Sequence, residues 1–289
     1  MTVAAIRTPR QMVWRRFKKN KRALACIVAL ILMGGATLMV PLVSYHDYRT
    51  VNKKAVKKPP SENYWMGTDD IGRDLLSRVF IGGRVSFQVA LMATFISVAI
   101  GVAFGAISGY VGGMTDRLMM GFVNVLYALP TMLIIITVMT FFDSRSMEIV
   151  FVVLGLFGWL TMARIVRGQV LSLKERDFVT AARAMGANGY WIIWKHMIPN
   201  VMGPVIVYAT LMIPSLMLSE SFLSFLGLGV SEPETSWGRM ISEGSTGLTP
   251  ANNQWWMVTF PGACLAVTLF CLNAVGDGLR DAFDVRSND

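Results

Sequence analysis

The chain has 289 residues, of which 54% are hydrophobic and only 16% charged, with a formal net charge of +9. Soluble domains carry about 25% charged residues, and here the apolar residues fall in long blocks rather than at amphipathic spacing, which excludes an ordinary soluble globule and makes the bilayer the natural solvent. The basic residues cluster beside those blocks, where anionic headgroups and the bias of Lys and Arg towards the cytoplasmic side account for them without a nucleic-acid partner.

In chain order, residues 1–22 form a basic segment containing "RRFKKNKR", with eight basic residues and no acidic one. The first span follows at 23–43. It is too long for the core of a cleavable signal peptide and no A-x-A site follows it, so it reads as a retained helix with a cytoplasmic N-terminus. Residues 44–84 should be extracytoplasmic, although Lys53, Lys54, Lys57 and Lys58 run against the charge bias. Within them "GTDDIGRD" offers Thr68, Asp69 and Asp70 as helix-starting residues, expected near the outer surface and bracing the assembly. Further spans are predicted at about Val85–Tyr110, Leu118–Phe142, Ile149–Ile165, Pro204–Leu226 and Met257–Val275, a core domain over 85–282. The fold class is thus an all-α membrane protein of six helices, with both ends and the tail 283–289 in the cytoplasm. Residues 164–200 carry six basic and two acidic side chains, whereas 229–256 carry one and three, as that orientation requires.

Local features fit helix packing in lipid. Gly101, Gly105 and Gly109 fall four apart, either a close helix contact or the ordinary glycine content of membrane helices. Pro130 and Pro214 each remove a backbone donor and should bend their helices. Trp255 and Trp256 precede the last span, where an interfacial aromatic belt would lie.

The chain has no G-x-x-x-x-G-K-[ST] phosphate loop, no H-E-x-x-H and no G-x-S-x-G, so neither ATP hydrolysis nor substrate cleavage is expected of it. Cys26, Cys264 and Cys271 lie in apolar spans without metal-ligand spacing, and His46 and His196 lack a carboxylate-rich neighbourhood. Glu220, in "MLSESFLSF", is the one carboxylate placed within a span. It is expected to face a subunit interface or a translocation path, and an ion-coupled carrier or channel would have to work through it. No internal repeat supports that rival.

Residues 178–200, "FVTAARAMGANGYWIIWKHMIPN", lie between spans and read as helix, glycine break, helix and proline stop. Phe178, Ala181, Ala182 and Met185 share one apolar face, and Asp177 caps or favourably charges the first helix. Gly186 permits the turn. Trp191, Trp194 and Ile198 line one side of the second helix, which suits a position on the membrane surface, and Pro199 ends it. A helix that docks in another protein's groove and a plain interfacial connector look alike at this level.

The stretch resembles the EAA loop of bacterial ABC importer permeases, E-A-A, three residues, Gly, nine residues, I-x-L-P. Here Thr180-Ala181-Ala182, Gly186 and His196-Met197-Ile198-Pro199 stand at those positions, with Thr180 replacing the glutamate and His196 the first isoleucine. "MGTDDIGRDLLSRVFIGGRVSF" is similar to the segment before the second span in the C-type permeases of peptide importers. "ARIVRGQVLSLKERDF", "SESFLSFLGLGVSEPETSWG" and "FCLNAVGDGLRDAFD" resemble the oligopeptide branch, though dipeptide and nickel-chelate branches share much of the pattern.

The resemblance implies a type I importer permease with a cytoplasmic coupling loop at 174–200. Its coupling residues would be Asp177, Thr180, Ala181, Ala182, Arg183, Met185, Gly186 and Ala187. Implied partners are a second, homologous permease subunit, two cytoplasmic ATPase subunits, an extracytoplasmic peptide-binding protein, the peptide and membrane lipid. This chain itself would hold no cofactor, ATP and Mg belonging to the ATPase subunits. The outer loop 229–256, with Trp237, would contact the binding protein or serve as a solvated connector.

Overall fold

A computed structural model describes residues 9–43, 48–143, 145–246 and 253–283; His46 and the tail beyond residue 283 lie outside them. Eleven helices account for most of the described residues, and the pairing of Thr68 with Asp74 is an isolated bridge. They are α1 (Pro9–Lys19), α2 (Lys21–Val43), α3 (Leu75–Val111), α4 (Gly113–Ala128), α5 (Thr131–Met139), α6 (Met147–Lys174), α7 (Asp177–Ala184), α8 (Gly189–Ile192), α9 (Ile198–Phe225), α10 (Trp237–Thr246) and α11 (Trp256–Phe283). Among the described residues five helices are long and apolar enough to cross a membrane, and the bent pair α4–α5 makes a sixth if taken as one span.

The spans differ from the hydropathy reading mainly at their ends. α3 begins ten residues earlier than expected, because Asp74 rather than Thr68, Asp69 or Asp70 starts it: its carboxylate accepts from the Ser77 N–H at 2.9 Å and the Ser77 hydroxyl at 2.8 Å. Thr68 is used in a turn, donating to the Ala55 carbonyl and accepting from the Lys58 N–H at 2.8 Å. The third span is broken, its halves bent by 79° where Pro130 cannot donate to the preceding turn. Pro214, by contrast, lies inside the unbroken α9. Trp256 is interior, its indole N–H donating to the Thr68 carbonyl at 3.2 Å, while Trp255 remains half exposed.

α3 and α6 form the central pair, running parallel and in register. A Cβ on Gly101 would come within 2.6 Å of Met162 Cβ, and one on Gly109 within 3.1 Å of Val170 Cβ. α6 reciprocates: a Cβ on Gly155 would reach 2.7 Å from Ile96 Cβ, and the Ser97 hydroxyl donates to the Gly155 carbonyl at 3.0 Å. The glycine triplet is therefore a packing surface that brings the two backbones together. α9 lies against this pair, and α2 and α11 close the other side, where Phe17, Ala23 and Ala282 bring the start of the described chain against the end of α11. The 174–189 connection, α1 and the C-terminal end of α11 thus share one end of the bundle.

Gly101→Ala should destabilise the chain by about 1–3 kcal/mol through overpacking. Gly121→Ala, at a glycine with nothing within 4 Å of its missing Cβ, should be neutral or stabilise by up to about 1 kcal/mol through helix propensity. Unfolding of the two variants in the same detergent separates close packing from a general intolerance of helix glycine replacement.

Candidate functional site: a helical hairpin fixed to the end of the bundle

The hairpin grows out of two spanning helices. α6 ends at Lys174, α7 begins at Asp177, and the chain from Gly189 continues without interruption to Phe225. Pro199 therefore does not end a helix, as its sequence context suggests. The turn at Ile193–Met197 is π-helical, and this widened turn passes the chain into α9, which starts at Ile198 with Pro199 in its first turn, where a missing N–H is tolerated. What reads as an interfacial helix is the end of the fifth span.

The turn itself is built as the sequence suggests. Gly186 has φ +86°, the Gly186 N–H donates to the Arg183 carbonyl at 2.9 Å, and the Ala187 N–H to the Ala182 carbonyl at 3.1 Å. These two bonds close α7 in a Schellman arrangement, which requires a left-handed residue at the glycine. The next helix starts at Asn188, whose carboxamide oxygen accepts from the Trp191 N–H at 2.7 Å. That cap is the local signal missed in the sequence.

α7 turns Val179 and Ala182 inward, into the core that holds Val170, Ile192, Ile193 and Met197. Ala182 is thus a correction to the expected outer apolar face. Three-residue spacing from Val179 puts it on the inner side, and Phe178, Ala181 and Met185 remain outside, Met185 being 82% exposed. Asp177 is the first helical residue and makes no capping hydrogen bond, so its effect is confined to the helix dipole. Thr180, Arg183 and Asp177 are exposed, and the Thr180 hydroxyl lies 3.5 Å from the Arg176 carbonyl.

One unanticipated residue sets the hairpin against the bundle. Tyr110, at the end of α3, lies under the Arg183 guanidinium at 5.1 Å from its ring centroid, with the Lys174 ammonium at 5.9 Å. A Cβ on Gly189 would come within 2.9 Å of the Tyr110 ring. Beyond this contact, His196 packs at 4.9 Å from the Trp191 ring and 5.9 Å from that of Phe178, joining the two arms.

Glu220 lies inside the chain rather than at a path or an interface. It is fully buried, accepting from the Ser224 hydroxyl at 2.7 Å and the Ser86 hydroxyl at 3.5 Å. Ser86 in turn accepts from the Trp237 N–H at 3.2 Å, and Ser224 lies 3.2 Å from the Ser236 hydroxyl. A carboxylate among apolar spans needs such partners, and here the serines of α3 and α9 and the start of α10 supply them.

Residues 101–288 match the family described as binding-protein-dependent transport system inner membrane component, and residues 8–60 match the N-terminal TM domain of oligopeptide transport permease C. The chain belongs to this permease family. It is 46% identical, over 93% of its length and 86% of the relative, to the oligopeptide transport system permease protein OppC of Haemophilus influenzae. It is 40% identical to the protein of the same name from Bacillus subtilis, covering 93% of this chain and 87% of that one. A dipeptide transport system permease protein, DppC of Bacillus subtilis, is 41% identical over 95% of this chain and 85% of its own. Among solved structures, the MetNI methionine ABC transporter in an inward-facing conformation is similar with a TM-score of 0.53 at 18% identity, covering 71% of this chain and 96% of that chain. That likeness establishes the type I importer permease fold.

At the opposite end of this permease, a buried ion network ties the segment before α3 to α10. Arg78, 3% exposed, donates to Asp69 at 2.5 Å and to Glu243 at 2.8 Å, while Arg73 reaches Asp69 at 2.6 Å and Arg239 reaches Glu243 at 2.9 Å. The loop that holds α10 is therefore anchored inside the protein, and Trp237, expected on a contact surface, is fully buried with its indole N–H donating to the Val79 carbonyl at 2.8 Å. Burial opposes ionisation of Glu243, but the Arg78 and Arg239 guanidiniums outweigh it and hold the carboxyl below the usual glutamate range. A depressed folded-state value contributes stability in full above the unfolded value of about 4.3, lost as pH falls below it. Glu243→Gln should cost about 2–3 kcal/mol near neutral pH by leaving Arg78 with one carboxylate. The difference between variant and parent should shrink between about pH 5 and pH 3, as read by thermal unfolding in detergent.

Proposed function

We propose that this chain is one of two membrane-spanning subunits of an ATP-driven importer that carries peptides, oligopeptides in particular, across the bacterial cytoplasmic membrane.

 Both ends of the chain and the hairpin would lie on the cytoplasmic side, with the ion-paired end outside. The observation that carries the reading is the hairpin: a short helix fixed by Val179, Ala182 and Tyr110 that presents Phe178, Ala181 and Met185 outward. A rigid apolar stub of this kind suits insertion into a groove on a partner ATPase. Peptide as cargo is supported by relatives named for oligopeptide transport, and a dipeptide cargo by the relative named for dipeptide transport.

In this reading ATP and Mg belong to two partner ATPase subunits, and an extracytoplasmic binding protein delivers the peptide. Closure of the ATPase pair moves the hairpin, and because the hairpin continues into α6 and α9 the motion passes to the spanning helices as a rigid-body shift. No side chain of this chain forms or breaks a covalent bond. The burial of Glu220 among serines leaves that carboxylate out of reach of a coupling ion in this conformation.

Coupling is tested at two positions that leave the chain's own core alone. Met185→Asp should place an unpaired charge in the docked interface, and Gly186→Val should strain a left-handed turn by about 1–3 kcal/mol, its missing Cβ facing open space. Both variants should insert and pair with the second permease, yet retain at most about a tenth of the ATPase subunits on co-purification, or hydrolyse ATP without peptide uptake. Full complexes with normal uptake from both would reduce the hairpin to a connector. Ala182→Asp is not equivalent, because it would bury its charge inside this chain.

A further inference from the structure

Where α4 and α5 part, a cavity of about 570 Å³ opens between them, α6, α9 and the end of α11. Six of its lining residues carry hydroxyls: Tyr127 and Thr131 flank the break, Thr161 comes from α6, and Tyr208, Ser215 and Ser219 come from α9. The three on α9 share one helix face, and the eleven steps from Tyr208 to Ser219 cover about 16 Å at 1.5 Å per residue. An extended chain of about five residues, at roughly 3.3 Å each, has that length.

Arg280, in the last turn of α11, is the one charged residue lining the cavity. Among the described residues its guanidinium has neither an ion pair nor a hydrogen bond, although Asp277 lies one turn earlier on the same helix. The other arginine nearby is occupied: Arg164 stacks 3.9 Å from the Tyr127 ring centroid and donates to the Asn124 side chain at 2.9 Å. Hydroxyls that both donate and accept suit a peptide main chain of any sequence, while a planar guanidinium suits a carboxylate in two-point contact.

We propose that this cavity is a transit site for an extended peptide, with Arg280 receiving the free C-terminal carboxylate. The inference rests on the peptide-import reading and adds to it a residue that reads the end of the cargo. Side chains of the cargo meet the apolar parts of the wall, such as Leu154 and Leu216, which impose shape but no charge preference.

The test uses the complete transporter with its binding protein in vesicles of defined phospholipid, and a pentapeptide as free acid and as C-terminal amide. The binding protein's affinity for each is measured separately, so that its own selection is divided out of the uptake rates. The parent should favour the acid by about tenfold, the scale of a charge-assisted contact, and Arg280→Gln should bring the acid-to-amide ratio close to one. Arg280→Lys, which keeps the charge but loses the planar fork, should lower the ratio at least about threefold, and it decides the matter if the glutamine variant does not assemble. An unchanged ratio overturns the proposal, including the case in which both uptake rates fall together because Arg280 merely anchors α11 to lipid phosphate. Absence of uptake of either peptide by the parent would instead overturn the peptide-import reading.

Discussion

The contact between α3 and α6 is the constraint on which the remaining structure depends. In lipid there is little hydrophobic gain from bringing two apolar helices together, so association has to come from close packing and interhelical hydrogen bonds. Gly101, Gly105 and Gly109 on one helix and Gly155 and Gly158 on the other remove the side chains that would hold the backbones apart. Because the helices run parallel and in register, their two ends are fixed together. At one end Tyr110 of α3 then stands beside Lys174 and Arg183, and at the other Arg78 stands beside α10. The backbone approach positions the first cluster, whereas the second lies where α3 runs on past the start of α6 and is held by α10 instead.

The two ends use different chemistry because their surroundings differ. At the hairpin end the contacts are apolar side chains, a cation over a ring and a backbone-closed turn, none of which needs a fully buried charge. At the other end Asp69 and Arg78 are almost fully buried and would be costly if either lost its partner. That end is locked by a network in which every charge has at least one counter-ion, with Thr235 at 3.4 Å from Arg78 as a further neighbour. Such a lock favours one arrangement of the 67–78 segment and α10 over looser alternatives, whereas the hairpin leaves the apolar Phe178, Ala181 and Met185 exposed.

The spans themselves are legible in the sequence because continuous apolar runs have few competing interpretations. Their ends are less so. α6 extends past Ile165 through Arg167 and Lys174, residues that hydropathy places outside the membrane but that a helix carries without difficulty when Arg167 reaches Asp116 at 2.5 Å. Pro199 misleads for a similar reason, since a first-turn position removes most of its cost. The Gly186 turn is legible because positive φ has a direct residue signature. Which face of α7 points inward is not, because Val179, Ala182, Phe178, Ala181 and Met185 are all apolar and only the tertiary contact with α8 and α9 sorts them. Glu220 and Trp237 are hard to place for the opposite reason. Each is a residue type associated with function when exposed, and its burial depends on Ser86, a partner more than a hundred positions away in sequence.

The break at Pro130 connects these features to the proposed transit site. The hydroxyl-bearing cavity opens at this 79° bend, lined by Tyr127 of α4 and Thr131 and Ile135 of α5 together with α9. The same α9 that lines the cavity through Tyr208, Ser215 and Ser219 begins as the second arm of the hairpin, and its Glu220 is tied to Ser86 of α3 and through Ser236 to α10. In the proposed cycle, a displacement of the hairpin acts on the helix that forms the cavity wall, which is bonded to α3 near its far end. Gly189–Phe225 is continuous, and Arg280 stands at the end of the wall nearest the hairpin, because the end of α11 packs on the first half of α9: a Cβ on Gly203 would come within 3.0 Å of the Phe283 ring, and one on Gly276 within 2.5 Å of Leu211.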